Sequence, residues 1–145
     1  YTWIVEFDAD FSGNWADFFS VFKDNDADLL TTSLIPFSQL NDWDFHDWQA
    51  APPEVAPSDQ WRMFPPLLRM SKRFAQAYVE EIQDPRWSGH HEFTMPTITL
   101  HRGLKLEDIG GSGPLARRSG ADALVGRVDR PACLDPGQLG CGQLT

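Results

Sequence analysis

Apolar residues along this chain gather in short bursts, and the spacing within each burst predicts the element it forms. The first run, Thr2 to Asp8, alternates like a strand. Alternation puts Tyr1, Trp3, Val5 and Phe7 on one face and Glu6, Asp8 and Asp10 on the other. Trp15, Phe18, Phe19 and Phe22 then recur at i, i+3, i+4 and i+7, the stripe of an amphipathic helix. Asn14 is placed to cap that helix, with Asp17 favourable in its first turn. Lys23-Asp24-Asn25-Asp26 ends it, and residues 28–35 read as a second strand closed by Pro36. Strand, helix, strand is the pattern of a parallel βαβ unit.

The middle of the chain is less regular. Residues 37–61 are aromatic and acidic, and a loop of this length usually serves a function. Residues 63–70 predict a third strand, at an edge or bulged because Pro65-Pro66 cannot donate to a ladder. Ser71 caps a helix running to about Gln83, with Phe74, Tyr78 and Ile82 on one face, and Asp84-Pro85 stops it. Residues 89–101 are ambiguous: Pro96 suits a helix start, whereas Thr97-Ile98-Thr99-Leu100 alternates like a strand. Residues 104–109 predict a last strand, closed by Gly110-Gly111. The sequence therefore predicts an α/β domain over residues 1–111. Residues 112–145 form a Gly/Pro/Arg-rich tail without aromatic residues or sustained periodicity, expected to pack poorly.

Charge sharpens this picture. The 145 residues carry a net charge of −9. Up to Asp59 there are twelve acids and a single cation, Lys23, whereas from Trp61 onward eleven cations meet nine acids. An acidic first half argues against binding a nucleic-acid backbone, which needs a cationic surface. No apolar stretch reaches the length of a membrane span. The chain opens inside a strand without Met, so upstream sequence is expected. The two cysteines, Cys133 and Cys141, both lie in the tail and are too few for a structural zinc site by themselves.

Asp8-Ala9-Asp10 is the sharpest chemical signal. Carboxylates this close repel unless a cation neutralises them, and Mg²⁺ or Mn²⁺ prefers carboxylate oxygen with phosphate completing the shell. The plain alternative is a solvated, acidic strand end. Asp24-Asn25-Asp26-Ala27-Asp28 imitates half an EF-hand loop, but Leu29 and Ile35 stand where its Gly and bidentate Glu belong.

The run Trp3-Ile4-Val5-Glu6-Phe7-Asp8-Ala9-Asp10 resembles the Asp-x-Asp strand of GT-A-type nucleotide-sugar glycosyltransferases. Its extension through Phe11-Ser12-Gly13-Asn14-Trp15 resembles a little-characterised group of such proteins. A second segment, Gly89-His90-His91-Glu92-Phe93-Thr94-Met95-Pro96-Thr97, is similar to the acid-bearing segment of branching N-acetylglucosaminyltransferases. The likeness covers residues 1–111, and these two segments carry it.

The resemblance implies a partial GT-A-like, Rossmann-like mixed sheet flanked by helices, lacking the earlier nucleotide-binding half. It implies Mn²⁺ or Mg²⁺ on Asp8 and Asp10, a nucleotide-sugar donor, a glycan or other hydroxyl acceptor, and Glu92 as the catalytic carboxylate. The compartment it implies is the Golgi lumen in a eukaryote and the cytoplasm in a bacterium. That chemistry is coherent, since the ion offsets charge on a departing diphosphate and a base takes the acceptor proton. Trp43, Trp48 and Trp61 are candidate sugar-stacking residues. Arg69, Lys72 and Arg73 are candidate diphosphate contacts. His90, His91 and His101 are candidates for a metal shell or a phosphate. Each also has an ordinary reading, as core, helix surface or hydrogen-bonded residue.

Two other functions fit some of the same residues. Haloacid-dehalogenase-type phosphohydrolases also carry Asp-x-Asp after an apolar strand, but they need a further acidic pair at another strand end, for which Glu107-Asp108 is a poor substitute. A non-catalytic carbohydrate-binding module would rely on the Trp-rich loop alone.

Overall fold

The computed structural model describes residues 1–9, 11–40, 42–110 and 114–116. Four strands lie side by side: β1 (Thr2–Val5), β5 (Leu67–Met70), β2 (Leu29–Thr31) and β6 (Leu106–Asp108). β5 runs antiparallel to both of its neighbours, while β6 is parallel to β2. The sheet is therefore mixed. β1 and β2 do point the same way, as a βαβ unit requires, but β5 is inserted between them.

Helices cover both faces, because adjacent residues on each strand point to opposite sides. Leu30 and Leu67 pack with Phe22 and the stripe Trp15, Phe18 and Phe19 of α1 (Trp15–Val21). Leu29, Leu68 and Leu106 pack on the other side with Phe74 of α2 (Lys72–Glu81) and Met95 of α3 (His91–His101). The expected caps are in place: Asn14 Oδ1 accepts the Ala16 N–H, and Ser71 Oγ accepts that of Phe74.

Several elements depart from expectation, each for a local reason. β1 ends at Val5, and of its four expected inward residues only Trp3 turns inward, packing at a tilt against Phe19 with ring centres 4.9 Å apart. Tyr1, Val5 and Phe7 are exposed, since β1 is an edge strand and Phe7 already lies in the following turn. The second predicted strand breaks at Ser33, whose φ of 57° is incompatible with extended pairing. Beyond it β3 (Ile35–Pro36) pairs instead with β4 (Trp61–Arg62) in a separate ribbon. The third predicted strand, 63–70, is cut short by Pro65-Pro66 and survives only as β5, while β4 lies just before it.

The ambiguous segment 89–101 is a helix with Pro96 inside it. A proline there has no N–H to give the carbonyl four residues back, which belongs to Glu92. That carbonyl accepts the Met63 N–H at 2.9 Å instead. The apparent defect thus ties the first turn of α3 to the chain leaving β4. Pro114–Ala116, assigned to the tail by sequence, returns to β6: Leu115 O accepts the Asp108 N–H, and Leu115 packs on the core. Cys133, Cys141 and the remaining tail lie outside the described residues.

Candidate functional site at the carboxyl end of the sheet

The carboxyl ends of β1, β2 and β6 lie together at the start of β5. Glu6 N–H reaches Pro66 O, Phe64 N–H reaches Thr32 O, and Met63 N–H reaches Glu92 O. In sheets of this kind, ligands collect at such an end. The first turn of α3 meets it there. Glu6 is close enough to His91 to pull the imidazole pKa upward, as Glu92 does; burial and the adjacent His90 outweigh both and lower it. Although part of His91 still meets solvent, its imidazole favours the neutral form at pH 7, when it can both donate and accept a hydrogen bond.

Glu92 is the best-defined carboxylate of this region. Its side chain is only 12% exposed, and Oε2 accepts a hydrogen bond from Arg62 Nε at 3.0 Å, with Nη2 of the same guanidinium in ion-pair contact at 3.0 Å. Arg62 is held in turn by aromatic faces, 5.3 Å from the centre of the Trp43 ring and 5.7 Å from that of Phe64. A guanidinium is suited to this double duty, forked in its plane and stacked on its faces. Arg62 escaped the sequence reading. Its only signal was being the first cation after a long acidic stretch.

A wall of rings continues from this pair. His90 caps α3 through Nδ1, which accepts the Glu92 N–H, and it lies parallel to Phe45 at 5.1 Å. Phe45 touches Trp43 and Trp48, and His90 touches His91 at 4.2 Å. The loop bearing these rings is fixed to the α3 start by the Ala50–Ser88 bridge and by Gln49 Oε1, which accepts the His90 N–H at 2.9 Å. Gly89 makes the approach possible: its φ is +117°, and a Cβ there would stand 2.0 Å from Gln49 Oε1.

The predicted site residues separate into two groups. Glu92, His91, Trp43 and Trp48 gather at this end, with Trp48 69% exposed. Asp8 is exposed in the turn after β1, beside Glu6 in sequence, and Asp10 lies outside the described residues. Among the described residues, no three His, Cys, Asp or Glu side chains converge to hold a metal.

Arg69 and Trp61 belong elsewhere. Arg69 is 2% exposed and donates to the carbonyls of Phe22, Asn25 and Ala27 in the turn that follows α1. It is an internal anchor, so its assignment to substrate is corrected. Trp61 is buried, with its indole N–H on Ser58 O, and has no open face for a sugar. Arg73 pairs with Asp28 at the amino end of β2, and His101 lies beside Trp87 at the far end of α3. Asp108 is buried and accepts the N–H groups of Leu34 and Gly110; burial raises its pKa against those bonds. It is separated from β1 by two strands, which leaves it a poor partner for Asp8.

Among the described residues, no helix is long and apolar enough to cross a membrane. Comparison of the chain with protein-family models, with curated proteins and with solved structures finds no match.

Proposed function

We propose that this end of the sheet is the reaction centre of a metal-dependent glycosyltransferase, moving a sugar from a nucleoside-diphosphate donor to a hydroxyl acceptor. One observation supports the reading: Glu6, two residues before Asp8, is bonded to Pro66 O, and the helix start holding Glu92 is bonded to Met63, so both flank the same short link at one end of the sheet. Asp8 with Asp10 would hold Mn²⁺ or Mg²⁺, hard cations suited to carboxylate oxygen. The ion would offset charge on the leaving diphosphate.

The chain's own part is to place the acceptor. Glu92 binds Arg62 through Oε2, which fixes the carboxylate plane and leaves Oε1 to take a hydroxyl proton. The Trp43 and Phe64 rings lie over the Arg62 guanidinium and shield it from water, which strengthens its hydrogen bond to Glu92.

Nucleoside-diphosphate binding tests the proposal. Titration with UDP and with GDP is expected to give binding only when Mn²⁺ is present, lost in Asp8→Asn. Nucleotide binding that ignores both chelation and Asp8→Asn would overturn it.

A further inference from the structure

The chain brings aromatic rings and carboxylates together in two places, and only the inner one holds a cation. There the Arg62 guanidinium lies over Trp43 and Phe64 while it bonds to Glu92. The outer place is the 3₁₀ turn His46–Trp48, entered from Phe45. Residues three apart stand one above the other in such a turn, so Phe45 and Trp48 form a ridge, their ring centres 5.8 Å apart. Asp44 and Asp47 each directly precede one of these rings and flank the ridge. Phe45 is 37% exposed and Trp48 69%, and both acids are exposed as well. Among the described residues, no lysine or arginine pairs with either acid, and Asp47 meets only the His46 ring. Exposed rings beside unneutralised carboxylates select their partner by chemistry. A guanidinium answers both, flat against a ring and donating in its plane to a carboxylate, as Arg62 does inside the fold. An ammonium would satisfy the acids but stack less well. A phosphate would be repelled, and an apolar ligand would desolvate the acids without pairing them.

We infer that the Phe45–Trp48 ridge, with Asp44 and Asp47, docks an arginine-bearing segment of a partner protein. The surrounding charge favours such a partner: up to Asp59 the chain carries twelve acids and one cation, which steers a cationic segment to this half of the molecule. The ridge is set before the partner arrives. His46 lies parallel to Phe37 at 4.6 Å, Gln49 Oε1 accepts the His90 N–H, and Ala50 bridges to Ser88. Docking uses neither the ion nor the nucleotide of the proposed function, so it stands apart from that reading.

The test titrates the full chain, in excess chelator, into a fluorescein-labelled hexa-arginine peptide at roughly 0.15 M salt, where distant charges are largely screened. Peptide anisotropy reads affinity, and amide NMR shifts read location. Binding is expected, with shifts centred on residues 44–48, and hexa-lysine is expected to bind more weakly. Trp48→Ala is expected to weaken hexa-arginine about tenfold, the scale of one lost cation–ring contact. Asp44→Asn with Asp47→Asn is expected to weaken it by a similar factor. Asp24→Asn with Asp26→Asn makes the same change of charge at the opposite end of the sheet and is expected to leave affinity within about twofold. All of these side chains are exposed, so the folded state is expected to persist, which circular dichroism checks. Absence of binding, affinity unchanged in Trp48→Ala, or equal loss in the two double variants would overturn the inference. So would hexa-lysine binding as tightly, which marks bulk charge alone. Self-association of the chain that is lost in Asp44→Asn with Asp47→Asn would give the surface to a second copy and also overturn it. Mn²⁺-dependent UDP binding is expected to survive Trp48→Ala, so the docking surface and the metal site are read separately.

Discussion

Two acids with little exposed side chain stand at opposite ends of this sheet, and they are used differently. Asp28, just before β2, is saturated: Ser71 Oγ and Arg73 Nε reach Oδ1, while the Lys105 N–H and Arg73 Nη2 reach Oδ2. Its Oδ1 and Oδ2 both serve the fold, joining β2, the α2 cap and the chain entering β6. Glu92, at the carboxyl end, spends one oxygen on one arginine, which itself lies over the Trp43 and Phe64 rings. Burial alone does not mark a functional carboxylate. Unspent hydrogen-bonding capacity beside an accessible surface does so better.

Removing each acid separates the two roles. Asp28→Ala is expected to cost the largest amount of stability, roughly 3 kcal/mol, because it strands the Lys105 N–H and the Ser71 hydroxyl in a tight junction. Denaturant unfolding measures this, and a loss below about 1 kcal/mol would make Asp28 an ordinary surface acid. Arg69→Ala belongs in the same range, since the turn after α1 loses the guanidinium that ties the carbonyls of Phe22, Asn25 and Ala27 together. Its unfolding midpoint is expected to fall while Mn²⁺-dependent UDP binding by the folded protein stays unchanged.

Glu92→Gln is expected to cost less, about 1–2 kcal/mol, because the amide keeps the shape and one acceptor for Arg62. Under the proposed function its larger effect is expected on chemistry, where loss of a general base would lower transfer on the order of a hundredfold or more. Equal losses of stability in Glu92→Gln and Asp28→Ala would erase the distinction between the two ends.

Acid sharpens the comparison further. Burial pushes the Asp28 carboxyl upward, but Arg73, the Lys105 N–H and Ser71 outweigh it, and the net pKa lies below 3.8. Its native form therefore binds its proton less readily than the unfolded chain does. That contribution is complete above the unfolded pKa and is lost as pH falls through the native value. Asp108 has the opposite sign: its raised pKa favours the fold at acid pH and loses that contribution as pH rises through the native value. Unfolding followed downward from about pH 4 is expected to fall less steeply in Asp28→Asn than in the wild type. The smallest stability effect is expected at Trp48→Ala, within about 0.5 kcal/mol, because the side chain is largely in water.

The sequence made some of this legible and hid the rest for physical reasons. Helices α1 and α2 announced themselves, because period and cap agree at Asn14 with Trp15, Phe18 and Phe19, and at Ser71 with Phe74. The helix α3 was obscured by Pro96, whose missing N–H is compensated by a bond between Glu92 and Met63 that no local pattern encodes. The inward face of β1 was misread because alternation does not reveal that a strand lies at an edge. The insertion of β5 between β1 and β2 depends on long-range pairing, which local periodicity leaves open. Glu92, His91, Trp43 and Trp48 were singled out from sequence, but Arg62, thirty residues before its partner, was not. Arg69 was misassigned because its ligands are main-chain carbonyls, which leave no trace in side-chain composition.

The most direct test is to add Mn²⁺ and follow paramagnetic broadening of backbone amides by NMR. The account predicts selective loss of signals from Glu6, Asp8 and the His91–Glu92 turn, abolished in Asp10→Ala. Broadening centred on Asp24, Asp26 and Asp28, or an unchanged pattern in Asp10→Ala, would contradict it.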